Sequence, residues 1–220
     1  MKKKILIFLI VILIIIMPQS KSIPAGINKI YLQLLEDEIA VIFINDKLDN
    51  YLLILTEDEP TLLVLNYNNG TILEQALKKF NFNEITVLTL SNMSLNFNYK
   101  QKITLTNHKY ELNDVIYQNE QQIINIEYED YNFCVYLGYN NEQLSNCNYI
   151  YYYQNNNISL NNLNRYTYAV FYRSLYPLST YFLEEAYERW VDTYMIRDEE
   201  FLIVKIKNNN YDVFSIPNNE

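Results

Sequence analysis

The sequence predicts the α/β class, a layered sandwich of sheets and helices, on three observations. Residues 71–80 form an amphipathic helix that runs into an apolar strand over 85–90. Strand-like segments precede that pair, and a second amphipathic helix near the C-terminus is followed by two closing strands. A helix crossing into a strand covered on both faces implies layering, because parallel strands need crossovers and helices must bury their apolar stripes on the sheet.

Taken in order, the chain begins with Lys2 to Lys4 and the apolar run Ile5 to Met17, which read as the n-region and h-region of a signal peptide. Ser20 and Ser22 supply small residues for cleavage after Ser22. The alternative is an uncleaved membrane anchor, for which a run of this length is short against the ~20 residues of a span. Residues 1–22 are therefore set apart, and 23–220 are expected to form a single domain.

Strands follow at Lys29–Leu34, Ile39–Asn45, Tyr51–Thr56 and Thr61–Leu65. The acidic triplets Glu36-Asp37-Glu38 and Glu57-Asp58-Glu59, with Asp198-Glu199-Glu200 later, read as solvated turns rather than cation sites. In the first helix, Thr71 and Glu74 have the spacing of a capping box, and Ile72, Leu73, Ala76, Leu77 and Phe80 share one face. The strand Ile85–Leu90 then delivers the uncharged loop Ser91 to Phe97 to a strand carboxyl end, where open α/β sheets place their sites.

Beyond this loop, Lys102–Thr106 and Tyr110–Leu112 flank a turn at Asn107-His108-Lys109. His108 is the chain's one histidine, and a lone imidazole at a turn reads as solvated. Ile123–Glu127 and Asn132–Leu137 form a hairpin around Glu129-Asp130-Tyr131; Tyr149–Tyr153 and Tyr168–Tyr172 are aromatic strands of the core. In the last helix Leu183, Ala186, Tyr187, Trp190, Val191 and Tyr194 make an apolar stripe, with Glu185 and Arg189 paired at i,i+4. The hairpin Phe201–Ile206 and Tyr211–Ile216 closes the chain.

Composition excludes several function classes. The formal charge is -9, and loss of the N-terminal lysines would make it more negative, so a polyanion is repelled and no nucleic-acid binding is expected. Three glycines, Gly26, Gly70 and Gly138, cannot build a phosphate-cradling loop. A serine nucleophile at Ser91 or Ser94 has no evident base. Cys134 and Cys147 are either bridged, as an exported protein allows, or buried thiols.

The order of elements resembles the metallo-β-lactamase fold, and within it the extracellular metallo-hydrolase domain of ComEC-type competence proteins. Three segments carry the resemblance: Ile72 to Asn96, Asn132 to Tyr139 and Arg165 to Ile216. It implies an αββα sandwich, with two mixed β-sheets between helices. It also implies a His-x-His-x-Asp-His run holding two metal ions, but the matching positions here are Asn92, Ser94, Asn96 and Phe97. Tyr139 stands where the bridging acid would be, and Asn66 where a further acid would be. The later histidines would fall near Tyr151 to Asn157 and Leu175 to Ser179, which contain none.

The resulting expectation is an exported, non-catalytic scaffold, extracellular or anchored on the outer face of the membrane. It would use no metal and no cofactor. Its binding surface would be a pseudo-site of Asn66, Asn92, Ser94, Asn96 and Tyr139, meeting a protein or small-molecule ligand at the cell surface. Neutral amide and hydroxyl oxygens hold calcium or magnesium poorly without carboxylates. The competing readings are a phosphodiesterase or esterase with an atypical site, and an unrelated surface module whose acidic face meets a cationic or cell-wall partner.

Overall fold

A computed structural model describes residues 38–56, 59–82, 84–120, 123–137, 146–154, 163, 165–198, 200–207 and 210–218. The N-terminal run and the expected strand Lys29–Leu34 lie outside these residues. The first half of the chain contributes β1 (Ile39–Asn45), β2 (Asn50–Leu55), β3 (Pro60–Asn66), α1 (Thr71–Phe80), β4 (Thr86–Thr89) and β5 (Gln101–Thr104). Next come β6 (Tyr110–Leu112), β7 (Val115–Glu120), β8 (Ile123–Tyr128), β9 (Tyr131–Tyr136), β10 (Tyr149–Tyr152) and β11 (Ala169–Arg173). The chain closes with α2 (Thr180–Glu188), β12 (Asp192–Ile196), β13 (Glu200–Lys207) and β14 (Asn210–Pro217).

These strands form two seven-stranded sheets, one in the order β14-β13-β1-β2-β3-β4-β5 and the other in the order β12-β11-β10-β9-β8-β7-β6. Both are mixed. β3, β4 and β5 run parallel in the first, and β9 to β12 run parallel in the second, while the remaining pairs are antiparallel.

Three apolar layers explain the stacking. Between the sheets lie residues such as Val41, Phe43, Tyr117, Phe133, Tyr151 and Phe171. The outer face of the first sheet, through Ala40, Ile42 and Ile44, packs on Ile72, Leu73, Ala76 and Phe80 of α1. The outer face of the second, through Cys134, Ile150 and Val170, packs on Phe182 and Ala186 of α2. The architecture is thus the αββα sandwich, and it explains why β1 and β2 are apolar at nearly every position: both of their faces are covered. At the centre the Phe43 ring lies 5.0 Å from Tyr151 and 5.1 Å from Phe171, joining the sheets. Each such buried ring contributes about 1.5–3 kcal/mol by leaving water.

Several local expectations are corrected. The capping box does not form: Gly70, at φ 74°, is the N-cap of α1 and no side chain bonds from that position. Thr71 is already inside the helix, so its hydroxyl is not placed to receive the N-terminal donors. The stripe assigned to the last helix is also too long. α2 ends at Glu188; Phe182 and Ala186 are its buried residues, Tyr187 and Trp190 face outward, and Tyr194 belongs to β12. Helical spacing alone does not distinguish an apolar stripe that continues from one cut by a left-handed residue, and Trp190 has φ 60°. β7 and β12 went unrecognised, and the turn around His108 connects β5 of one sheet to β6 of the other. Cys134 and Cys147 form a disulfide with Cα atoms 5.8 Å apart.

Candidate binding site

Both sheets present strand ends to the same region. Asn45 of β1 and Asn66 of β3 both lie opposite Asn50 of β2, which places them side by side at one end of the first sheet. From the second sheet the Tyr151 hydroxyl donates to Asn50 Oδ1 at 3.1 Å, and Arg173 Nη2 donates to the Asp46 carbonyl at 2.5 Å. The carboxyl ends of β3, β10 and β11 therefore converge with the β1–β2 turn.

That turn is shaped by its own acids. Asp46 Oδ1 accepts the backbone N–H groups of Leu48 and Asp49, at 2.8 and 2.7 Å, folding the chain into an Asx turn. Asp49, fully buried, then reaches outward: Oδ1 accepts from the Tyr51 hydroxyl and the Asn68 N–H, and Oδ2 from the N–H groups of Asn69 and Gly70. A carboxylate from a distant turn thus satisfies the donors at the entry to α1, where its charge also suits the helix dipole. Burial, with Asp49 alongside, raises the Tyr51 phenol far above its ordinary value. Gly70 is required here: beyond its positive φ, an added Cβ would lie 2.9 Å from the Tyr67 ring.

Arg173 is the matching charge from the second sheet. It is 4% exposed, lies 3.9 Å from an Asp198 carboxylate oxygen, and has the Tyr176 ring 5.8 Å from its guanidinium carbon. Burial raises the phenols of Tyr151 and Tyr153, and the nearby guanidinium opposes the shift in both.

Of the residues singled out from the sequence, Asn66 and Asn96 reach this region, through Leu48 and Tyr67. Asn66 is exposed and donates through Nδ2 to the Leu48 carbonyl. Asn92 is exposed, and its Oδ1 accepts from Lys102 Nζ at 3.4 Å, while the same lysine donates to the Met93 carbonyl at 2.9 Å. Ser94 is exposed in the loop between β4 and β5. Asn96 is exposed, and its backbone N–H donates to the Tyr67 hydroxyl at 3.0 Å. Asn66 and Asn96 are thus drawn toward one end through Leu48 and Tyr67, whereas Asn92 is held by β5. No hydrogen bond joins one of these four side chains to another among the described residues, and Tyr139 lies outside them.

A dinuclear metal centre does not fit these residues. His108, the chain's single histidine, is exposed between β5 and β6. Among the described residues no three His, Cys, Asp or Glu side chains gather to hold an ion. The buried acid of the region, Asp49, is saturated by its donors, and the Arg173 guanidinium would repel a divalent cation. Sequence reasoning missed Asn45, Asp49, Asn50 and Arg173. The signals were the Asp46-x-x-Asp49 spacing between two apolar strands and an arginine ending the apolar run of β11.

No family model matches the chain, and no curated protein matches it. Solved structures of similar shape include the following pair. The metallo-β-lactamase fold protein YhfI from Bacillus subtilis is 8% identical, with a TM-score of 0.48 over 73% of this chain and 97% of that one. A protein of the metallo-β-lactamase superfamily from Thermotoga maritima is 9% identical, with a TM-score of 0.40 over 72% of this chain and 74% of that one. The αββα assignment rests on the strand order and the three packed layers.

Proposed function

We propose that this chain is an exported, non-catalytic metallo-β-lactamase-like protein that uses its sandwich as a binding or surface-assembly module. Its binding surface is the rim that Asn66 and Asn96 mark at the strand ends, extended by Asn92 and Ser94 of the β4–β5 loop and, on the family resemblance alone, by Tyr139, which lies outside the described residues; its ligand is a protein or small molecule at the cell surface. The observation that carries this reading is the commitment of the region's buried charges to internal bonds. Asp49 holds the entry of α1, and Arg173 ties the β1–β2 turn to Asp198, so neither is disposed to act as base or nucleophile. The singled-out side chains Asn66, Asn92, Ser94 and Asn96 are exposed and neutral, which suits recognition more than bond cleavage.

Export is supported by the N-terminal n-region and h-region and by the disulfide, since structural disulfides persist in oxidising compartments. A relation to ComEC-type proteins remains part of this proposal, and the acidity of the chain argues against direct contact with DNA. Elemental analysis of purified protein, combined with phosphodiesterase and esterase assays, tests the reading. The expected result is no stoichiometric metal and no turnover. Stoichiometric zinc or manganese, or turnover abolished by Asn92→Ala, would establish a hydrolase instead.

A further inference from the structure

We propose that the outward face of α2, closed by Trp190, is a docking surface for a cationic segment of a partner protein, separate from the strand-end rim. Three observations converge on it.

First, Trp190 is the chain's single tryptophan and is 91% exposed. It occupies a left-handed position, φ 60°, just past the end of α2, where glycine is the usual residue. A bulky side chain there is strained and buries nothing in this fold, so its presence calls for a use outside the fold. Second, Trp190 is not alone. Tyr187 is 84% exposed and Tyr181 is 64% exposed on the same helix, whose buried residues are Phe182 and Ala186. Aromatic side chains with few rotatable bonds make the strongest anchors in protein interfaces.

Third, the charge between these rings is uncompensated. At 100° per residue, Glu184 and Glu188 project between Tyr181 and Tyr187, opposite Phe182 and Ala186. Both are exposed, neither pairs with a cation among the described residues, and at i,i+4 they repel one another. Arg189 does not relieve them, because it is engaged with Glu185 at 3.5 Å and with the Leu163 carbonyl at 3.4 Å. Carboxylates flanked by aromatic faces recognise lysine and arginine side chains, combining ion pairing with cation–π attraction. An anionic membrane surface would be repelled by the same acids, and a neutral glycan would leave them without a counter-ion.

The single tryptophan makes the test direct. A labelled oligolysine peptide is titrated into the purified full chain, with anisotropy and Trp190 emission as readouts. Saturable binding that shifts the emission and weakens with added salt is expected. Trp190→Gly, a change compatible with the left-handed backbone, should weaken binding by about tenfold or more by anisotropy. Glu184→Gln with Glu188→Gln should weaken it roughly fivefold. The control Glu111→Gln with Asp130→Asn removes equal charge at β6 and the β8–β9 turn, away from α2, and should leave binding unchanged. Equal losses from both charge pairs would overturn the proposal in favour of diffuse attraction to an acidic protein. An emission shift with phosphatidylcholine vesicles or a soluble glycan but not with peptide would also overturn it, as would no binding at all.

Discussion

Helices α1 and α2 occupy equivalent layers of the sandwich, yet their ends are made in opposite ways. α1 begins at a glycine whose neighbouring donors are satisfied by Asp49, twenty-one residues earlier than Gly70 in the chain, and it ends at Asn81, which adopts the left-handed conformation easily. α2 begins at Ser179, whose own hydroxyl accepts the Phe182 N–H at 3.2 Å, and it ends at Trp190 in that same left-handed conformation. The first arrangement ties a helix to a remote turn and closes the strand-end region. The second is local and leaves aromatic surface outside. One difference between the helices is therefore an investment in internal closure at α1 and in exposed surface at α2.

The largest expected effect breaks the internal side. Tyr51, Tyr117, Tyr149 and Tyr151 are buried phenols whose folded values lie above the ordinary 10.0. A group raised on folding stabilises fully below its unfolded value, and that contribution is lost as pH rises toward its folded value. Stability should therefore hold up to about pH 10 and then fall by roughly 1.4 kcal/mol per pH unit for each phenol. Denaturant midpoints measured across the alkaline range, with phenolate absorbance followed in parallel, check this. Cooperative unfolding should accompany ionisation, whereas ionisation of these phenols in a still folded chain would contradict it.

Asp49→Ala should follow in size, destabilising by about 3–4 kcal/mol in urea, because it strands several buried donors at once. Ser179→Ala should lose only about 1 kcal/mol, the usual value for a local cap. Equal losses would erase the contrast between the helices. Replacing Cys134 and Cys147 by serine should remove about 3 kcal/mol, since the bridge, packed with Phe182 and Ala186 of α2, links residues 13 apart in sequence. The smallest effect has the opposite sign: Trp190→Gly should raise stability by about 0.5–1 kcal/mol through relief of the left-handed strain. A loss on that substitution would mean that the tryptophan serves the fold.

The same contrast separates what could be read from the sequence from what could not. Residues 72–80 announced α1 because its stripe is buried along its length, and β1, β2 and β13 announced themselves as apolar runs because both faces of their sheet are covered. The closure of α1 was illegible, since the Asp49 carboxylate acts through space on the N–H groups of Asn68, Asn69 and Gly70, just ahead of the Thr71 and Glu74 pair that sequence spacing singled out. β7 alternates in burial but reads Val-Ile-Tyr then Gln-Asn-Glu in sequence, and β12 is a short edge strand with an exposed start, so neither carries a strong period-2 signal in its residues. At the strand ends, Asn66, Asn92 and Asn96 were reached by position in a resemblance. The polar residues beneath them were missed because Asn50 and Arg173 look like ordinary strand termini until the two sheets are brought together.

Asp49, Arg173, Tyr151 and Asn50 close the strand-end region by bonds among protein groups, and on the proposal above no metal ion is needed there. Thermal unfolding of the chelator-treated protein, with and without added zinc, tests it most directly. A site binding zinc at a hundredfold excess over its dissociation constant would add about 2.7 kcal/mol, or roughly 5–10 °C in Tm for a chain of this size. The expected Tm is unchanged within about 1 °C by zinc or by chelation. A rise of several degrees with zinc, reversed by chelation, would contradict it.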